Sequence, residues 1–230
     1  MFSYAESDPV LSKEQLKREE PALRTALLRA QYARLASGKR SLLLVIAGID
    51  GAGKGAAINL LSEWMDPRHI HTIAFHESRD KHRREPDFER YWINLPANGE
   101  SGVVFGSWYW PLARAAYAKK RNADRIESHA RAIRKFEATL CANGVQVVKL
   151  WFHLSKQAQA ARTKRLLSDP ETAWQVQPDD IKVVRKFDRL RQAGEETLRL
   201  TDAAHAPWTV IPSADEPMRS VATGHVVLAA

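Results

Sequence analysis

Cysteine is nearly missing from this chain. Cys141 stands alone among 230 residues, which excludes an intrachain disulfide and fits a reducing compartment. No apolar run reaches the roughly 20 residues of a membrane helix. The sequence does not open with a basic stretch followed by an apolar segment and a cleavage site, so the expectation is a cytoplasmic chain with no membrane partner. Internal repeats and low-complexity tracts are also missing, and without a recognised binding motif nucleic acid is not expected as a partner. Acidic charge is in the minority. The 35 Lys and Arg outnumber 27 Asp and Glu, for a formal charge of +8 and an isoelectric point near 9.7. Such an excess favours a polyanion. With 44% hydrophobic residues, the length suits one α/β domain with a helical lid rather than two full domains.

The most informative stretch is Leu42-Leu43-Leu44-Val45-Ile46-Ala47-Gly48-Ile49-Asp50-Gly51-Ala52-Gly53-Lys54-Gly55. An apolar run this uniform predicts a central parallel strand buried on both faces and ending at Ala47. The glycines at 48, 51 and 53 then let backbone amides converge on an anion, and a helix starting near Lys54 points its positive end at the same place. This is a phosphate-binding P-loop made by Gly48, Gly51, Ala52, Gly53, Lys54 and Gly55, with Lys54 supplying an ammonium for the outer phosphates. Gly55 stands where a hydroxyl usually holds magnesium, which leaves Asp50 as the nearest metal ligand. An ordinary strand-to-helix turn would share the glycines but has no need of the lysine.

Taken in order, residues 1–10 read as a loose arm, and the domain boundary falls near 19. Ser12 with Gln15 forms a capping-box pattern. Pro21 fits the first turn of a helix over about 20–36, ended by Gly38. The helix after the P-loop, with Ile58, Leu61 and Trp64 on one face, stops at Asp66-Pro67. A strand over 70–75 feeds a charged run, His76 to Glu85, at the carboxyl end of a predicted sheet, where ligands of such sheets sit. A short helix around Phe88 to Trp92, a strand over 102–105 and helices over 111–120 and 124–143 follow; Cys141 falls in the last turn of the latter, a packing position. Next come a strand over 145–154 and a basic helix capped by Ser155 that carries Lys156, Arg162, Lys164 and Arg165. Asp169-Pro170 interrupts it. Asp179-Asp180 then open a second basic helix with Lys182, Arg185, Lys186, Arg189 and Arg191. The two helices, over about 156–200, have the pattern of a lid that closes on phosphate, which a plain helical hairpin would share. A strand over 208–211 and a helix from about Pro217 complete the domain, 20–230.

Several stretches together resemble a known family. They are Gly48 to Gly55, Trp64-Met65-Asp66-Pro67-Arg68, Leu95-Pro96, Ser107-Trp108-Tyr109, Trp151-Phe152-His153-Leu154-Ser155-Lys156 and Ala206-Pro207-Trp208. From about residue 20 to 215 the chain is similar to the second polyphosphate kinase family, whose members move phosphoryl groups between inorganic polyphosphate and nucleotides such as AMP, ADP and ATP. The resemblance implies a thymidylate-kinase-like three-layer α/β/α fold with a parallel central sheet and a helical lid, magnesium dependence and homo-oligomers. It implies that Lys54 contacts phosphates, that Asp50 positions the metal or the accepting phosphate, that Arg90 binds phosphate, and that Arg162 stabilises charge on the transferring group.

Two departures stand out. Active members end the third strand Phe-Asp-Arg-Ser-Trp-Tyr, whereas this chain has Phe105 and Gly106 at the Asp and Arg positions, and Gln175 replaces a lysine after Trp174. The Phe-Gly-Ser-Trp-Tyr form resembles the amino-terminal copy of the two-copy polyphosphate:AMP phosphotransferases. Glu77, Glu85 and Asp87 are candidates to replace the lost carboxylate. Three readings follow: a polyphosphate-dependent nucleotide phosphotransferase, a non-catalytic binding module of the same fold, and an ATP-dependent nucleoside monophosphate kinase.

Overall fold

The computed structural model describes residues 1–75, 88–176 and 184–230. Five strands form one parallel sheet: β1 (Ser41–Gly48), β2 (Ile70–Ala74), β3 (Ser101–Phe105), β4 (Val145–His153) and β5 (Trp208–Pro212), in the order β2-β3-β1-β4-β5. β1 is central as expected. Leu42, Leu44 and Ile46 enter one apolar cluster and Leu43 and Val45 the other, so both faces of the strand are buried. The chain leaves β1 for β2 and β3 on one side and for β4 on the other. That reversal puts the crevice of such sheets at the carboxyl end of β1.

One face carries α2 (Lys13–Ser37), α3 (Lys54–Trp64) and α9 (Glu216–Leu228), whose Leu23, Leu27, Leu61, Trp64, Val221 and Val227 are buried together. The other carries α5 (Trp110–Tyr117) and α6 (Ala123–Ala142), with Leu112, Ile126, Ile133 and Leu140 inside. This is the three-layer arrangement expected, and α6 includes Cys141 in its last turn.

Three expectations change. Residues 1–10 are not loose. They form α1 (Ser3–Glu6) and insert Phe2, which has no exposed surface, against His153 with ring centroids 3.9 Å apart. Burying that ring stabilises the segment by about 2–3 kcal/mol, enough to hold a short terminal turn in place. α2 starts at the Ser12–Gln15 capping box, with Gln15 N to Ser12 Oγ at 3.2 Å, and runs through Pro21. The missing N–H at Pro21 costs one helical bond. Continuity keeps Leu16, Leu23 and Leu27 packed on the same core.

The second half of the expected lid, α8 (Phe187–Thr201), packs against α5 and α6. Gly194 meets the Trp151 ring so closely that a Cβ there would lie 2.5 Å from it. Arg189 donates to the Tyr117 carbonyl, and Arg191 pairs with Glu6. Neither of these basic side chains is spare for phosphate. The short helix α4 (Glu89–Trp92) lies where expected, and Ala173–Gln175 form a single turn after the end of α7 (Lys156–Ser168). The charged run 76–85, Asp87, and the Asp179, Asp180 and Lys182 helix start fall outside the described residues.

Candidate phosphate site

Gly48 ends β1 with φ 140°, and a Cβ on it would sit 2.3 Å from the Phe152 carbonyl oxygen of β4. Only glycine allows the loop to leave the sheet this close to its neighbour. Gly51 (φ 80°) and Gly53 (φ 78°) are left-handed, a conformation that turns successive amides toward a common centre. Gly53 is the N-cap of α3 and has no side chain to cap the helix, so the first-turn amides are open to an anion. Lys54 and Gly55 begin that turn. Ala52 differs from the expectation. Its methyl is fully buried and its amide donates to the Ile49 carbonyl at 3.2 Å, so it shapes the loop from within.

The Lys54 side chain is 13% exposed. Its Nζ donates to the carbonyls of Gly48 (3.0 Å) and Ile49 (2.9 Å) and to Asp50 Oδ1 (3.2 Å). Asp50 is 55% exposed on the loop surface. The lysine and the aspartate are therefore in contact, and the three ammonium donors of Lys54 are taken by oxygens of its own loop, bonds that an incoming phosphate has to replace. Among the described residues no group of three His, Cys, Asp or Glu side chains is placed to hold a metal. A single loop carboxylate fits a magnesium ion held mainly by substrate phosphates and water.

α7 (Lys156–Ser168) brings Arg162 within electrostatic reach of Arg219, whose guanidinium lies against Gly53. Burial, and then the like charge of Arg165, push the Arg162 guanidinium below the usual range. On the same helix face, Gln159 is buried and donates from Nε2 to the Asp50 carbonyl at 2.6 Å, tying α7 to the loop. Arg219 of α9 lies beneath the loop, and a Cβ on Gly53 would be 2.8 Å from its Cζ. Neither Gln159 nor Arg219 was foreseen. Helical spacing from Arg162 could have found Gln159; for Arg219, one basic residue in a short closing helix, the sequence offers no signal.

Arg90 lies at the other edge of the crevice. Its Nη2 is 2.6 Å from the Tyr91 hydroxyl, and its Cζ is 5.4 Å from the Phe75 ring centroid. Beside it, Gly106 has φ 71°, and a Cβ there would fall 1.9 Å from the Phe75 carbonyl oxygen. This backbone has no room for the arginine of the charged motif. Ser107-Trp108-Tyr109 follows as a buried anchor. Trp108 Nε1 donates to Glu137 Oε1 at 3.0 Å, and the Tyr109 hydroxyl donates to the same oxygen. Lys149 Nζ donates to Glu137 Oε2 at 2.9 Å. Burial, then the Glu137 charge, drives the Tyr109 phenol well above its ordinary range.

A five-stranded parallel sheet with a lysine-bearing glycine loop after its central strand defines a P-loop kinase-like α/β protein. The profile of one such family, Polyphosphate kinase 2 (PPK2), matches residues 10–230, and the chain belongs to that family. It is 36% identical over 228 residues to the polyphosphate:AMP phosphotransferase of Pseudomonas aeruginosa, covering 99% of this chain and 46% of that protein. It is 32% identical to the GDP-polyphosphate phosphotransferase of Mycolicibacterium smegmatis, covering 91% of this chain and 74% of the relative. The crystal structure of polyphosphate kinase 2 from Arthrobacter aurescens TC1 superposes with a TM-score of 0.90 at 26% identity, over 98% of this chain and 82% of that one. The chain spans about half the length of the Pseudomonas relatives it matches.

Proposed function

We propose that this chain moves a phosphoryl group between inorganic polyphosphate and a nucleotide, AMP or ADP. The observation that carries the reading is the loop of residues 48–55, with left-handed Gly51 and Gly53 and with the Lys54 ammonium held against the loop by the Gly48 and Ile49 carbonyls. A terminal phosphate oxygen of the nucleotide attacks the end phosphorus of the polymer. The bond to the bridging oxygen breaks, and the shortened chain leaves with the electron pair. Catalysis of this kind is mostly alignment and charge neutralisation. The loop amides and Lys54 hold the phosphates, and Arg162 on α7 and Arg90 at the opposite edge meet the negative charge. Asp50 would be the protein ligand of a magnesium ion that neutralises charge between neighbouring phosphates. The family reading also carries oligomers of this chain and a cytoplasmic setting.

A second reading has its own observation. Gly106 is locked against Phe75, and Phe105 takes the place of a carboxylate, which favours a module that binds polyphosphate without turning it over.

The test mixes the chain with magnesium, polyphosphate and AMP or ADP and follows nucleotide product beside Asp50→Ala and Lys54→Ala. Product above both variants is expected. None, with polyphosphate still bound tightly, supports the module, and product with ATP but not polyphosphate as donor supports a nucleoside monophosphate kinase.

A further inference from the structure

We propose that Arg219 is the fixed cation of the phosphate site: a positioning residue that backs Gly53 and supplies positive potential through the floor of the loop. The inference rests on residues 48–55 being that site. Arg219 is 2% exposed, and its guanidinium lies against Gly53 so closely that any Cβ there would collide with it. Its Nη1 donates to the Ser213 carbonyl at 3.3 Å, which fixes the group without neutralising it. Among the described residues, the carboxylate within ion-pair reach is Glu216, 3.9 Å away and 73% exposed. Asp215, one residue earlier, is engaged as the cap of α9, its Oδ2 accepting from Met218 N at 3.0 Å and from Leu11 N at 3.2 Å.

A buried guanidinium whose neighbouring carboxylate is at the limit of ion-pair distance and solvated is costly unless a further anion balances it. Arg162 and Arg165 raise that cost, since both press on Arg219 with like charge, and burial is the largest influence holding it below the usual guanidinium range. The three arginines come from α7 and α9, far apart in sequence, and lie within electrostatic reach of one another, with Arg219 against Gly53. The arrangement fits a ligand with several adjacent negative charges. A chain of phosphates matches this better than a single carboxylate would. Gly53 thus has two reasons to be glycine: its left-handed φ, and the contact with Arg219.

The test is titration calorimetry with inorganic tripolyphosphate, on Arg219→Gln, Arg219→Lys and Lys54→Ala, across a salt series. Arg219→Gln is expected to weaken binding about tenfold at low salt and to lower the slope of log affinity against log salt by about one. Arg219→Lys restores the slope, which a purely structural role would not require. Because a buried arginine can be needed for folding, Glu216→Gln provides a second arm on an exposed residue. Removing that carboxylate is expected to tighten binding about two- to threefold at low salt. Wild-type affinity in folded Arg219→Gln, or no tightening in Glu216→Gln, overturns the proposal. If Lys54→Ala alone loses affinity, the loop remains the phosphate site and only the role of Arg219 falls. If neither Lys54→Ala nor Arg219→Gln loses affinity, the loop reading falls with it.

Discussion

Glu137 has no exposed surface and takes hydrogen bonds from Trp108, Tyr109 and Lys149, so a single carboxylate joins the loop after β3 to α6 and β4. Lys149 is satisfied on its other side by the Thr201 carbonyl at 2.8 Å. Removing one partner leaves a buried charge with no counterion, so Glu137→Ala is expected to cost about 3–5 kcal/mol of stability. Urea unfolding of variant and wild type measures this, and a loss below about 1 kcal/mol would contradict it. Residues of this kind mark the limit of reading the chain alone. Lys54, Asp50 and the glycines are legible because the motif is local, with every member within one turn of its neighbours. Glu137, Gln159 and Arg219 act across long sequence separations, where a polar side chain on a helix looks like any solvated one. The Ser107-Trp108-Tyr109 stretch was visible as a family signature, but its partner was not.

At the level of elements, the amino-terminal turn α1 is a strap over the carboxyl end of β4 and the start of α7. Glu6 is 3.0 Å from His153 Nε2 and is also bound by Arg191. Asp8 accepts from the Ser155 amide at 3.0 Å and from its hydroxyl at 2.5 Å, at the cap of α7. Hydrogen bonds from Arg191, and then from His153, bring the Glu6 carboxyl down to about 2 from an ordinary 4.5. Burial lowers His153 below its ordinary 6.5, against the pull of Glu6. Both folded values lie below the unfolded ones, so the unfolded chain binds more protons on acidification. The stabilisation is present in full above 6.5, weakens first as His153 is demanded by protons, and then falls between 4.5 and 2 as Glu6 is. Hydrogen exchange of residues 1–10 should speed up on acidification through this range, after correction for the intrinsic rate, and Glu6→Gln should abolish the lower step. Equal protection factors at pH 7 and pH 4 would contradict the strap. Strand positions and the helices that flank them followed from periodicity and capping residues. The strap did not, because in residues 1–10 the apolar Met1, Phe2, Tyr4, Ala5 and Val10 follow neither a helical nor a strand period. Its order depends on a hydrophobic slot that exists only once β4 and α8 are assembled.

On the scale of the whole molecule, a parallel sheet, a glycine loop at its reversal point and an excess of positive charge are the features on which the proposed grip on phosphate chains rests. The fold was legible because buried parallel strands and amphipathic helices alternate along the sequence. Of the two helices expected to form a lid, α7 is tied to the loop through Gln159, whereas α8 is a wall of the core. Calorimetric titration of long-chain polyphosphate into the wild-type chain and Lys54→Ala, at low and at high salt, is the most direct test. Saturable binding that weakens with salt is expected for the wild type, and Lys54→Ala should lose about tenfold or more in affinity while remaining folded. Equal affinity in the two proteins would contradict a phosphate grip at residues 48–55.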